Sequence, residues 1–193
     1  MESPVDMDGL FSQLLSDGVQ LRTAALYRLW KGTSTKEGLE PLRTQERVSA
    51  FVRVLPKLDA KDSTICIRVL TSLSFDAHSI SMIQREGGVQ TVIDIMRKHS
   101  QSIEVVRNAL RLLCNLSTDS GVRTDLVQAG SLPMIITHVM SNNLRFSRDA
   151  LRVLVNIASP NNPEHRHALY ELNAYGAVIT ALKRGLRERE RER

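Results

Sequence analysis

The stretch RNALRLLCNLS, residues 107–117, returns downstream as RDALRVLVNIA, residues 148–158. Arg107 and Arg148 stand 41 residues apart, and so do Ala109/Ala150, Arg111/Arg152 and Asn115/Asn156. Leu110, Leu113 and Leu116 in the first copy, and Leu151, Leu154 and Ile157 in the second, recur at helical spacing, which predicts a core-facing stripe on each helix. The alanines permit close helix approach. Two arginines and an asparagine repeat as faithfully as the leucines, and a core does not need them.

The same frame extends upstream. STICIRVLTSLS (63–74) places Arg68 against Arg111 and Ser72 against Asn115, and RTAALYRLWKGT (22–33) places Tyr27 and Lys31 there. Spacings between the asparagine-type positions are 41, 43 and 41. A second element lies between these helices. REGGVQTVIDIM and VQAGSLPMIITHV set Gly88 and Gly130 42 residues apart, YGAVITALKRGL follows with Gly176, and ERVSAFVRVLP has Arg47 instead. Short helical stretches (SISMIQRE, GVRTDLVQA, PEHRHALYELNA) precede the glycines and apolar amphipathic ones follow them. A glycine there permits a sharp turn between helices. The predicted unit is a short helix, a kink, a middle helix and a longer third helix. One such triplet cannot bury its apolar face, so at least three must stack.

This pattern resembles the armadillo repeat family, most clearly through VQAGSLPMIITHVMSNN, FSRDALRVLVNIAS and their counterparts one repeat earlier. The implied fold is all-α, a right-handed α-solenoid in a single armadillo-repeat domain over 1–193. The expected repeats run about 5–34 (lacking its first helix), 35–76, 77–118 and 119–160, followed by a partial repeat and charged tail over about 161–193. In the last unit two helices are expected, then RERERER where a third helix belongs. Val178, Ile179, Leu182 and Leu186 share one side of that final helix. The charged run reads as a solvated cap over the last apolar edge, with a docking or anion-binding tail as the sharper alternative.

Composition is that of an ordinary globular chain, 42 % hydrophobic and 24 % charged. Aromatics are scarce at 4 %, which suits aliphatic helix packing. No apolar run is long enough to span a membrane, and MESPVDMDG lacks the basic and apolar regions of a signal peptide. Cys66 and Cys114 each sit within an apolar helical run, reading as small buried residues in a reducing compartment. A cytoplasmic location is expected, with nuclear access left open. The formal charge is +5. Residues 1–17 contribute four acidic side chains and no basic ones, whereas residues 183–193 carry six basic and three acidic.

The repeated polar residues are the functional candidates: Arg68, Arg107, Arg111, Asn115, Arg148, Arg152 and Asn156. Four residues rise about 6 Å along a helix, so Arg107, Arg111 and Asn115 form a near-straight row, as do Arg148, Arg152 and Asn156. The family resemblance implies that third helices line a concave groove and that this asparagine holds the backbone of an extended peptide, through an amide that both donates and accepts. Ser72 and Lys31 depart from that pattern. Importin-alpha-like members carry tryptophan four residues before the asparagine, to hold basic peptides. Here those places hold Tyr27, Arg68, Arg111 and Arg152, and the stripe resembles the basic surface of beta-catenin, which takes acidic segments. Arginine forks bind carboxylates in bidentate fashion.

The expected function is a non-catalytic scaffold or adaptor binding another protein through an acidic extended segment. Three alternatives remain: an inert solvated stripe, a structural subunit docking by its convex face or C-terminal edge in a large assembly, and polyanion or nucleic-acid binding through the arginines. Nucleic acid is disfavoured because only Tyr27 and Trp30, in the first repeat, could stack bases near the stripe. His78, His99, His138, His165 and His167 show no zinc-like spacing, and no P-loop, dinucleotide fingerprint or nucleophile elbow occurs. No cofactor, metal or catalytic constellation is expected, and the oligomeric state is left open.

Overall fold

The computed structural model describes residues 6–159 and 161–191, with side chains described at neither 186 nor 188–191. Among the described residues the chain forms thirteen α-helices and no strand. They are α1 (Met7–Leu15), α2 (Val19–Gly32), α3 (Lys36–Leu39), α4 (Gln45–Val54), α5 (Ala60–Leu73), α6 (Ala77–Arg85), α7 (Gly88–Lys98), α8 (Ile103–Leu116), α9 (Ser120–Gln128), α10 (Leu132–Val139), α11 (Leu144–Ile157), α12 (Pro163–Glu171) and α13 (Ala174–Arg191). The expected third helices are α2, α5, α8 and α11, each 14 residues long. This is an armadillo-type α-solenoid. Its chain divides into two compact units, Met1–Leu112 and Leu113–Arg193.

Local chemistry sets the helix starts. Asp76, Asp119 and Asn162, each 43 residues after the last, accept backbone N–H groups in the first turns of α6, α9 and α12. Such caps satisfy donors that the helix itself cannot pair. Positive backbone φ recurs at the same interval, at Gly87 (72°), Gly130 (59°) and Asn173 (50°). Two expected kink positions therefore move. Gly87 and Asn173 make the turn, while Gly88 and Gly176 lie inside α7 and α13. Asparagine is one of the few side chains that tolerates this conformation.

The third helices share an invariant small position. Ala25, Cys66, Ala109 and Ala150 are all fully buried, so Cys66 stands where its counterparts are alanines. Its Sγ donates to the Phe51 carbonyl at 3.6 Å, and burial pushes its thiol far up. Leu110, Leu113, Leu116, Leu154 and Ile157 are buried as their spacing predicts, but Leu151 is partly exposed and Val153 takes its place inside. Each buried leucine contributes roughly 1.5–3 kcal/mol over an exposed one.

In the N-terminal unit α1 packs on α2 and α4, α2 on α5, and α4 on α6. The Thr23 hydroxyl donates to the buried Asp62 carboxylate, tying α2 to α5. At the expected glycine position of the second repeat, Arg47 bonds Asp8 at 3.1 Å and the Pro41 carbonyl at 2.6 Å, with its guanidinium over Phe11. Lys98, at the end of α7, donates to the Pro56 and Leu58 carbonyls at 3.0 and 3.2 Å.

In the C-terminal unit α10 packs on α11 and α13, and α12 on α9 and α13. Arg184 repeats the device of Lys98. Its guanidinium donates to the Met140 and Ser141 carbonyls at 2.6 and 2.7 Å, at the end of α10. A cation there meets the negative end of the helix dipole. The final helix does not stop at the charged run but continues to Arg191. The expected placement of Leu186 on its apolar side, and of the charged side chains from 188 onward, lies outside the described residues.

Candidate ligand-binding surface

Arg68 lies on α5, Arg107 and Arg111 on α8, and Arg148 and Arg152 on α11. Arg68, Arg111, Arg148 and Arg152 are exposed, and Arg107 is partly buried. Their surroundings differ. The Arg68 guanidinium lies over the Trp30 ring, 4.5 Å from its centroid, and Tyr27 stands 5.6 Å from Trp30 with Lys31 over its ring. Tyr27, Trp30, Lys31 and Arg68 thus form one cation–aromatic cluster in the N-terminal unit. Such contacts contribute about 0.5–1 kcal/mol at exposed sites and hold the fork in a defined orientation.

Arg107 pairs with Glu104 one turn back, and Arg148 Nε meets Oδ1 of the buried Asp149 at 3.2 Å. Among the described residues no carboxylate pairs with Arg111 or Arg152. Arg152 instead bonds the half-buried Cys114 thiol, which burial and Asp149 push up against the pull of Arg152. Two guanidinium groups, one in each unit, therefore face solvent without an acidic partner, while Arg107 and Arg148 have one each.

The asparagines have a second role that periodicity does not reveal. Asn156 Nδ2 donates to Ser117 Oγ at 2.9 Å and to the Cys114 carbonyl at 3.4 Å, stitching α11 to the end of α8 within the C-terminal unit. Among the described residues its side-chain oxygen accepts no such bond. Ser72, at the matching position in the N-terminal unit, reaches Thr33 Oγ1 at 3.3 Å. Both stitches span 39 residues. Asn115 is partly buried and also engaged. The signal available in the sequence was the hydroxyl residues Thr33 and Ser117, each just past a third helix and 84 residues apart, the same interval as Ser72 to Asn156.

Away from the stripe, a cavity of about 230 Å³ opens between α9 and α12, lined by Arg123, Thr124, Asn162 and His165 among others. The Asn162 side-chain oxygen accepts the His165 backbone N–H at 3.2 Å, so its amide nitrogen faces the imidazole Nε2, 3.0 Å away. That nitrogen accepts, and the ring is neutral. Burial, reinforced by the Arg123 charge, lowers the His165 pKa below its ordinary 6.5. The native state thus binds fewer protons than the unfolded chain in that window. Stability is full above about 6.5 and is lost as pH falls from there through the lowered native value. The melting temperature of the C-terminal unit will decline between pH 7.5 and 5, and by less in His165→Gln. Burial lowers His138 as well, so this variant removes only part of the slope. Circular dichroism melts across pH check it, and an identical decline in the variant would remove His165 from the account.

His167 is exposed and lies 3.8 Å from Glu171. Among the described residues no group of histidine, cysteine or carboxylate side chains could hold a metal ion, and no helix is long and apolar enough to cross a membrane.

Known proteins match this architecture. Residues 76–118 match the armadillo/beta-catenin-like repeat family. A designed armadillo repeat protein in complex with the peptide (KR)4 superposes with a TM-score of 0.79 at 19 % identity, over 91 % of this chain and 73 % of that one. A computationally designed armadillo repeat protein for modular peptide recognition gives 0.81 at 18 %, over 91 % and 74 %. Protein SERAC1 of Danio rerio is 25 % identical over 97 residues, which is 50 % of this chain and only 15 % of the length of that relative. Residues 76–118 thus carry an armadillo/beta-catenin-like repeat, and the fold around them is that of an armadillo-type α-solenoid.

Proposed function

We propose that this protein is a non-catalytic scaffold whose third-helix arginines hold an extended acidic segment of another protein. One observation carries the reading: Arg111 and Arg152 are exposed, sit at the same position of successive third helices, and meet no carboxylate among the described residues. A guanidinium fork that meets no internal carboxylate keeps its charge available for a bidentate carboxylate from outside. Arg68 adds a fork held by Trp30. The ligand of a structural neighbour is the basic peptide (KR)4. The arginine stripe here calls for the opposite charge. Asn156 contributes only its carbonyl oxygen, as an acceptor for a ligand N–H, because its amide nitrogen is engaged with Ser117.

The test is fluorescence anisotropy with labelled (DE)4 and (KR)4 peptides, and with a labelled oligothymidine of similar charge. Wild type will bind (DE)4 and not (KR)4. Arg111→Glu combined with Arg152→Glu will weaken (DE)4 binding at least about tenfold, since a charge-assisted hydrogen bond contributes about 1.5–3 kcal/mol. The effect should shrink with added salt but not vanish. Equal binding of oligothymidine, lost steeply with salt, would favour the polyanion reading instead. Unchanged (DE)4 affinity in a folded double variant would leave the stripe an inert solvated face.

A further inference from the structure

The departures from the repeated stripe gather in one place in the N-terminal unit. Where α8 and α11 carry an arginine and, four residues on, an asparagine, α2 carries Tyr27 and Lys31, with Trp30 between them. The Lys31 ammonium lies over the Tyr27 ring at 5.3 Å and the Arg68 guanidinium over the Trp30 ring at 4.5 Å, and the two rings stand 5.6 Å apart. Lys31 and Arg68 are both exposed, and among the described residues neither meets a carboxylate. The mount is rigid. Thr23 donates to Asp62 and Ser72 to Thr33, so α2 and α5 are tied on both sides of Tyr27, Trp30 and Arg68. A guanidinium stacked on a ring keeps its in-plane N–H donors at its edge, directed away from that ring. Two positive charges are thereby held on one aromatic pair.

We infer that this cluster takes a phosphorylated serine or threonine side chain of the bound segment. The inference rests on the reading of the stripe as a ligand surface and names what its first position receives. Charge decides between phosphate and carboxylate. Further along, the second arginine of each row is already paired, Arg107 with Glu104 and Arg148 with Asp149. The residues matching Lys31 there are the neutral Asn115 and Asn156. Arg111 and Arg152 therefore each offer a single charge, which a carboxylate matches. Lys31 and Arg68 offer two, from two helices. A phosphorylated side chain carries about −1.5 to −2 at pH 7 and has three acceptor oxygens, enough to meet the fork and the ammonium together. A nucleic-acid backbone fits less well, because each of its phosphates carries a single charge.

The probes are labelled acidic peptides with phosphoserine, glutamate or serine at either end, with inorganic phosphate and oligothymidine as competitors. Wild type will bind a phosphoserine peptide at least about tenfold more tightly than its glutamate counterpart. The same titration will change the emission of Trp30, the single tryptophan. Arg68→Gln with Lys31→Gln will bring the two peptides within about twofold of each other, with helicity and melting unchanged because both side chains are exposed. Arg68→Lys keeps the charge without the fork and will retain only part of the preference. Arg111→Glu with Arg152→Glu will weaken both peptides and leave their ratio as in wild type. Acidic-peptide binding without a phosphoserine preference overturns this inference alone. A preference that survives Arg68→Gln with Lys31→Gln overturns it too, as do unchanged Trp30 emission and equal competition by inorganic phosphate or oligothymidine. Affinities that ignore Arg111→Glu with Arg152→Glu count against the stripe reading instead.

Discussion

Phe51→Ala will lower the stability of the N-terminal unit by about 3–5 kcal/mol, the range for removing a buried aromatic ring. Phe51 is fully buried on α4, which packs on both α1 and α6. Its ring meets Phe11 edge to face at 5.4 Å, an arrangement contributing about 0.5–1.5 kcal/mol beyond area burial. Its carbonyl accepts the Cys66 thiol, so the backbone is pinned from α5 and cannot easily collapse into the void. Trp30 is the single tryptophan and lies in this unit, so its emission in urea isolates the unit from the rest of the chain. The midpoint should fall by at least about 1 M, given slopes of about 1–3 kcal/mol per molar. Phe75→Ala is the control: that ring is 73 % exposed, and its loss should stay within about 0.5 kcal/mol. Equal effects at the two positions would mean that exposure, not burial, governs the aromatic contribution here.

Periodicity exposed the third helices because their function in the fold is repeated burial. Ala109 and Ala150 must be small, Leu113 and Leu154 must be large, and both demands are visible at a fixed interval. What periodicity could not reveal was the direction of a polar side chain within its face. Asn156 shares a helix face with Arg148 and Arg152, yet its amide donor turns sideways to Ser117, a partner 39 residues upstream. Lys98 and Arg184 were illegible for the same reason. Nothing local marks a cation whose acceptors are main-chain carbonyls about 40 residues earlier, at the end of another helix. That Arg111 and Arg152 meet no carboxylate among the described residues also depends on where Glu104 and Asp149 point, which spacing alone leaves open.

The paired glycines at 87 and 88 show how a correct motif can still be read one residue out of phase, and they carry the second large effect. Gly87 takes φ of 72°, with nothing within 4 Å of where a Cβ would stand. Its requirement is conformational. Gly88 has ordinary helical backbone, but a Cβ there would lie 2.5 Å from Ile83 Cγ2 and 2.7 Å from the Ile83 carbonyl oxygen. Its requirement is space. Relief at Gly88 would need backbone at the end of α6 to move, because that oxygen belongs to the helix, so Gly88→Ala will cost about 1–3 kcal/mol through overpacking. Gly87→Ala will cost about 1–2 kcal/mol through the left-handed backbone. Alanine therefore hardly separates the two explanations, whereas asparagine does. Asn173 already occupies the conformation of Gly87 two repeats on, so Gly87→Asn should recover most of the stability lost in Gly87→Ala. Gly88→Asn adds bulk where there is none to spare and should be at least as damaging as Gly88→Ala. Urea unfolding followed by Trp30 emission reads all four variants in the same unit. Recovery by asparagine at both positions would mean that the close approach of α6 to α7 imposes no constraint. Recovery at neither would mean that the left-handed turn at residue 87 tolerates only glycine, despite the precedent at Asn173.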